Sequence, residues 1–419
     1  MSLIPVQGPV SSAVGIGSYF VTECVHPPAD PTHTMTTAPT PDWNPRSDAV
    51  QQDQIAAYDH LRDQHGAAYS EMLHWSVLVH ADVLRILQDH ERFSNVVSRH
   101  VAVPNGMDPP EHTAYRALIE PYFTQERVEA FRPVCERITA ELLQALQGRR
   151  EVDWVAAFAL PFAVRIQCAF MGWPMDLEAE LTEWSAHSHA ATLAQDRPAL
   201  DALAAQFAGI VARMLDERRA SGAGPQQDVT ASLMHATVLG QPLGADAIAS
   251  ILRNWTVGEI GTIAAAVGIL AQWLAEHADL QATLRAEPAR QPEAIDEILR
   301  LHGPLVTNRR VATCPVEVAG RQIPAGGRIT LHWTSANRDP RVFEAPGEFR
   351  WGRNPQDNLL YGAGIHVCPG AALSRMELGV ALRALLAAVA SLAPTAQAPE
   401  PAHYPAIGFA RLPLQLRWA

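Results

Sequence analysis

Apolar side chains recur at helical spacing through most of this chain, and the longest such run lies in its second half. Residues 246–277 keep an apolar period with no internal proline, which predicts one helix about 48 Å long at about 1.5 Å per residue. That length is enough to cross the molecule. Shorter helices are predicted over 51–64, on the face Ile55, Tyr58 and Leu61, then over 81–89, 124–147, 158–171, 181–193, 202–219, 228–239, 280–287 and 291–301. A last apolar run begins at Ala371 and passes through Leu373, Met376, Leu378, Val380, Leu382 and Leu385, the pattern of a buried helix. Alternation predicts strands at 74–79, two strands with Gly and Pro turns within 316–332, and one at 412–416. The chain reads as mainly α with small β-sheets.

Its 419 residues are long enough to bury a large core or to divide into domains. Residues 1–50 mix Pro, Thr and His without helical period, so a partly flexible arm is expected there, with the folded domain over 51–419. The net charge of -12, from 32 Lys and Arg against 44 Asp and Glu, argues against a nucleic-acid surface. It still permits a local basic patch. The N-terminus lacks a basic leader and no apolar stretch of membrane length stands out, so a cytoplasmic protein that does not meet membranes is expected. Cys24, Cys135, Cys168, Cys314 and Cys368 are too far apart for a disulfide framework or a Cys-x-x-Cys site, which suits a reducing compartment.

Composition leaves chemistry open, and one stretch supplies it. Gly362, Gly364 and Gly370 surround His366 and Cys368 immediately before the last helix. Free N–H groups and the helix dipole at that point stabilise a thiolate, and a thiolate is a strong axial ligand for haem iron. Zinc is a weaker reading of His366 and Cys368, because no third and fourth ligand follow at zinc-site spacing.

The segment Tyr361-Gly-Ala-Gly-Ile-His366-Val-Cys368-Pro-Gly370 resembles the haem-binding loop of the cytochromes P450, with Tyr361 in place of the usual leading Phe. Further matches cover the chain from about residue 50 onward. Glu297-Ile-Leu-Arg300 resembles the family's Glu-x-x-Arg pair, and Arg353 its third member, so a structural network of these three is expected. Asp108-Pro-Pro-Glu-His112-Thr-Ala-Tyr-Arg116 resembles the start of the family's C helix, and Arg310 its strand arginine, with Arg309 as a competitor.

The resemblance implies the P450 fold, in a single haem domain, with the long central helix as its I helix. It implies b-type haem ligated by Cys368, with His112, Arg116, Arg310 and His366 at the propionates and Tyr361, Gly362 and Gly370 shaping the loop. Bacterial origin and a monomer are also expected. The thiolate pushes electron density onto iron and favours O–O cleavage.

In the central helix, Trp255-Thr-Val-Gly258-Glu259-Ile260-Gly261-Thr262 resembles the family's oxygen pocket, with Thr262 on the family threonine. Gly261 then occupies the usual acid position, a departure. Two glycines inside a helix cost about 1 kcal/mol each relative to Ala, and close approach to a flat cofactor or close helix packing would each account for them. Glu259, three residues before Thr262, is the alternative proton donor, or else an ion-pair or substrate contact.

The activity implied is hydroxylation, or oxidative O-demethylation, of a small apolar or aromatic substrate with O2. Electrons would come from NADH or NADPH through a reductase and a ferredoxin or flavodoxin. Candidate pocket residues are Val103, Trp184, Trp255, Ile260, Val306 and Ile407, with His187 and His189 as further ligand contacts. Peroxide-driven chemistry and, less favoured by the single-domain length, a haem-binding sensor are the alternatives.

Overall fold

Apolar period becomes helix along the chain in the computed structural model, which describes residues 39–98 and 102–419. Helix α1 (Asp48–Gln52) and α2 (Gln54–Gln64) divide at Asp53, whose carboxylate accepts from the Ala56 N–H and caps α2. The one helix expected over 51–64 is therefore two. Next come α3 (His80–Gln88), α4 (Glu111–Ile119), α5 (Gln125–Leu146), α6 (Leu160–Met171), α7 (Glu178–Ala194), α8 (Arg197–Ser221) and α9 (Val229–Met234). The second half holds α10 (Ala245–Glu276), α11 (Ala278–Ala286), α12 (Gln291–His302), the short α13 (Trp333–Ala336) and α14 (Ala371–Ala388).

The described fold starts before the expected boundary at residue 51. Asp42 accepts from the Tyr69 N–H at 2.7 Å and from Arg321 at 3.0 Å. The rest of the expected arm, residues 1–38, lies outside the described residues.

Helix α10 is the spine. Its first half buries Ile248, Ile251 and Leu252 in a core shared with α6, α7 and α8, and its second half buries Ile263, Val267, Leu270 and Leu274 in a core shared with α5, α12 and α14. Each such side chain stabilises the fold by about 1.5–3 kcal/mol when fully buried. A helix apolar on nearly every side follows from having neighbours on nearly every side. By length and composition, α8 and α10 would each suffice to cross a membrane, which the sequence reading did not foresee. Half of the most apolar stretch of α10 is buried within the fold.

The principal sheet runs in the order 67–70, 74–77, 328–332, 307–312, 93–94. It is antiparallel except where 328–332 pairs in parallel with 74–77, and its register sets Ile329 opposite Arg310. Two expectations give way to turn chemistry. The helix expected over 228–239 stops at Met234, because Leu239 and Gly240 take positive φ and close a hairpin of 237–238 on 241–242. Within 316–332 there are three strands, since Ala319 and Gly320, also at positive φ, fold 316–318 onto 321–323 before 328–332 joins the sheet.

Candidate active site

The glycines after Leu359 are required by the path of the chain. Gly364 has φ +70°, and a Cβ there would overlap the Leu87 carbonyl of α3, so no other residue fits without moving that helix. This close approach lets the loop turn back, and the Cys368 N–H donates to the Tyr361 carbonyl at 2.8 Å. Arg375 of α14 lies 4.4 Å over the Tyr361 ring and pairs with Asp296 at 3.1 Å, which fixes the loop against α12. Cys368 thus stands just before α14, whose N-cap is Gly370.

The helix start does not make this thiol acidic by itself. Burial pushes the Cys368 pKa up, and the Gly370 N–H, Arg116 and Arg375 recover part of the difference. Expected helix-end stabilisation is real but loses to desolvation. A bound metal cation would settle the matter, since a coordinating thiol is deprotonated outright.

Beside the loop, arginine and imidazole groups gather, with Asp108 and Glu120 as the carboxylates near them. His112 on α4 is buried, its ring centroid is 4.1 Å from that of His366, and among the described residues neither Nε2 has a hydrogen-bond partner. Burial, then His112, Arg310 and Arg116, push His366 down to about 3, and burial with Arg116 lowers His112. Arg310 is buried and lowered to about 10, donating to the Arg309 carbonyl at 2.7 Å, whereas Arg309 itself is exposed. Of the two competing arginines, 310 is the one turned inward. Arg116 keeps one partner, Glu120, at 2.9 Å. Unpaired buried donors of this kind fit the carboxylates of a haem, which would also raise both imidazole pKa values.

Helix α10 turns a bare strip outward: Val257 is 54% exposed, and Gly258 and Gly261 lie on the same face. The Thr262 hydroxyl donates to the Gly258 carbonyl at 2.5 Å. At Gly261 an added Cβ would stand 3.5 Å from Nε2 of His189, so α7 fills the space over that glycine; burial lowers the His189 pKa. His187 is exposed. Glu259 points the other way, toward Glu377 of α14, and burial pushes it up to about 7.

The six pocket candidates do not gather on that strip. Ile260 is 1% exposed and about 200° around α10 from Gly258, in the core with α6 and α8. Trp184 packs on Phe207 at 4.8 Å and donates to the Leu203 carbonyl, locking α7 to α8. Trp255 meets Phe123, Tyr122 and Phe170 at 5.1, 5.6 and 6.2 Å, an aromatic cluster beside α6. Val103 is buried and tied through its backbone to Ser250 and Asn254 of α10, while Val306 and Ile407 share a small core with Tyr58 and Tyr404. Large apolar residues pack wherever the core is nearest, and spacing does not say which face that is. Val257, on that strip, is one of several exposed large apolar side chains among the described residues.

Glu297, Arg300 and Arg353 do come together. The Glu297 carboxylate accepts from Arg300 Nε and Nη2 at 2.7 and 2.9 Å, from Arg353 Nε at 2.8 Å and from the Arg350 N–H at 3.1 Å. Both guanidiniums also hold backbone carbonyls of residues 337–348, the stretch leading to the cysteine loop.

A family model described as cytochrome P450 matches residues 193–418. The cytochrome P450 YjiB of Bacillus subtilis is 30% identical over 329 residues, covering 75% of this chain and 81% of that protein. The 6-deoxyerythronolide B hydroxylase of Saccharopolyspora erythraea is 34% identical over 280 residues, with 66% and 68% covered. The epothilone D-bound cytochrome P450epoK superposes with a TM-score of 0.81 over 90% of this chain and 99% of that one, at 24% identity. These matches and the helix-rich fold around α10 agree: the chain belongs to the cytochrome P450 family and is an oxidoreductase of that class.

Proposed function

We propose that this chain binds b-type haem through Cys368 and is a monooxygenase that hydroxylates, or oxidatively O-demethylates, an apolar or aromatic substrate. The observation that carries the reading is the pairing of a cysteine loop with a cluster of Arg310, His112 and His366 in which both imidazole Nε2 atoms are buried and without a hydrogen-bond partner among the described residues. Bound there, thiolate-ligated haem supplies O2 activation. The remaining work falls to the protein. His112, His366, Arg116 and Arg310 hold the propionates, and the Glu297 network keeps the loop that presents Cys368 rigid. Gly258 leaves room along α10, Thr262 orients a proton at its hydroxyl, and Glu259 supplies the proton that Gly261 cannot. Val257, exposed on the α10 strip, gives the substrate an apolar contact.

Electrons come from NAD(P)H through a separate reductase and a ferredoxin or flavodoxin, and the protein works as a cytoplasmic monomer. The hydroxylase among its relatives supports oxygen insertion. Peroxide-driven turnover is the second reading, favoured by the missing carboxyl at Gly261.

Optical titration of the ferric protein with small aromatics, aromatic methyl ethers, terpenes and fatty acids tests the substrate class. A low-spin to high-spin shift with small aromatics, aromatic methyl ethers or terpenes is expected. A shift confined to fatty acids, or none with any compound, contradicts the assignment of a small apolar or aromatic substrate. Product from NAD(P)H and partner proteins exceeding that from hydrogen peroxide separates the two readings.

A further inference from the structure

Away from the cysteine loop, a cavity of about 300 Å³ opens between the junction of α1 with α2, the C-terminal half of α10, and the hairpin that pairs 400–401 with 409–411. Its wall on α10 begins at Ile269, roughly 10 Å along the helix from Thr262, so it is separate from the strip of Gly258 and Gly261. That volume is at the lower end of small-molecule pockets.

One side of the cavity is apolar, formed by Ile269, Ile407 and Phe409. The other side offers acceptors. Asp53 uses one carboxylate oxygen to cap α2, and Glu276 uses one to accept from Gln272 at 2.6 Å; the second oxygen of each takes no hydrogen bond among the described residues. His302, its ring centroid 5.2 Å from that of Trp273, likewise has no hydrogen-bond partner among them. Burial, then Arg338 and Arg300, push His302 down to about 4, so at neutral pH its imidazole keeps a free lone pair. Those two guanidiniums are already paired, Arg338 with Asp59 at 2.7 Å and Arg300 with Glu297 at 2.7 Å. Among the described residues no Arg lines the cavity, and the chain has no Lys and a net charge of -12. Acceptors facing an apolar wall, with no cationic side chain beside them, suit a ligand that joins a flat apolar body to a positively charged donor head.

We propose that this cavity binds small organic cations of that class, with an amidinium or ammonium head, at a site separate from the substrate pocket. The body lies against Ile269, Ile407 and Phe409, and the head donates to Asp53, Glu276 and His302.

Isothermal titration of the haem-loaded protein with benzamidine, its neutral isostere benzamide and its anionic isostere benzoate tests the class. One site is expected for the benzamidinium ion, bound at least about fivefold more tightly than benzamide, the scale of an exposed ion pair, with no binding of benzoate. The double variant D53N/E276Q, in which Asn can still cap α2, should lose that preference, and added salt should weaken the wild-type preference. No binding of benzamidinium, equal affinity for the neutral compound, or a preference unchanged in the double variant overturns the proposal. The comparison of isosteres on the wild-type protein stands even where the variant fails to fold.

The ferric haem spectrum of the same samples locates the site. It should stay unchanged as benzamidinium saturates the protein. A spin-state shift that follows the binding curve would put the compound in the substrate pocket and overturn the separate site.

Discussion

Replacing Glu297 with Gln keeps the side chain's size and removes the charge beneath two guanidiniums. Arg300 is 1% exposed and Arg353 is 14% exposed, so the first has no route to water and the second has a narrow one. Arg300 would retain the carbonyls of Asn337 and Pro346 at 2.7 and 3.0 Å but lose its counter-charge. The Gln amide offers one oxygen where the carboxylate offered two, and its NH2 would confront a donor. Removing one member of a buried ion pair costs about 3–5 kcal/mol, and we expect E297Q to fall in that range. R353M, which leaves the Glu297–Arg300 pair whole, should cost less, about 1–3 kcal/mol. The assay is urea unfolding followed by both tryptophan fluorescence and haem absorbance. The two transitions should coincide, because the network ties α12 to the stretch that leads into the cysteine loop. E297Q within about 1 kcal/mol of wild type, the scale of a surface pair, would refute the reasoning.

Burial of the Glu259 and Glu377 carboxyls also sets a pH dependence. Both carboxyls hold their proton more tightly folded than unfolded, so the stability they contribute is complete below the ordinary value of 4.5 and is lost as pH rises through the folded pKa, about 7 for Glu259. The urea midpoint should fall across that window more steeply in wild type than in E377Q, and equal slopes would contradict the assignment. Arg310 and Arg309 offer a paired test of the propionate cluster. R310M removes a buried charged donor and should weaken haem retention by about 10–100-fold, measured as transfer to apomyoglobin, while exposed Arg309 replaced by Met should leave it unchanged. Equal effects from the two would remove Arg310 from the cluster.

Local chemistry was legible in the sequence. A glycine-rich turn, a cysteine before a helix, and Glu297 and Arg300 one turn apart each depend on spacing along one segment, whereas the approach of Gly364 to Leu87 depends on tertiary packing. The packing of the apolar candidates was not, because which face of each helix the core covers is not set by spacing. Ile260 and Trp184 are as apolar as Val257, yet neighbours on α6 and α8 take them. Turns overrode period in the same way, at Leu239 and at Ala319. One missed residue left a trace: Glu377 falls four residues after Leu373 and three before Val380, on the buried face of α14, where an acid calls for explanation. His189 left none, since its place over Gly261 depends on how α7 crosses α10.

The central claim is that Cys368 ligates haem iron as a thiolate. The most direct measurement is the absorption spectrum of the reduced, carbon monoxide-bound protein, beside that of C368H. Wild type should show the strongly red-shifted Soret band of thiolate ligation, and C368H should bind haem with the band at the position of an imidazole ligand. A wild-type band already at the imidazole position, or one unchanged in C368H, would contradict the account.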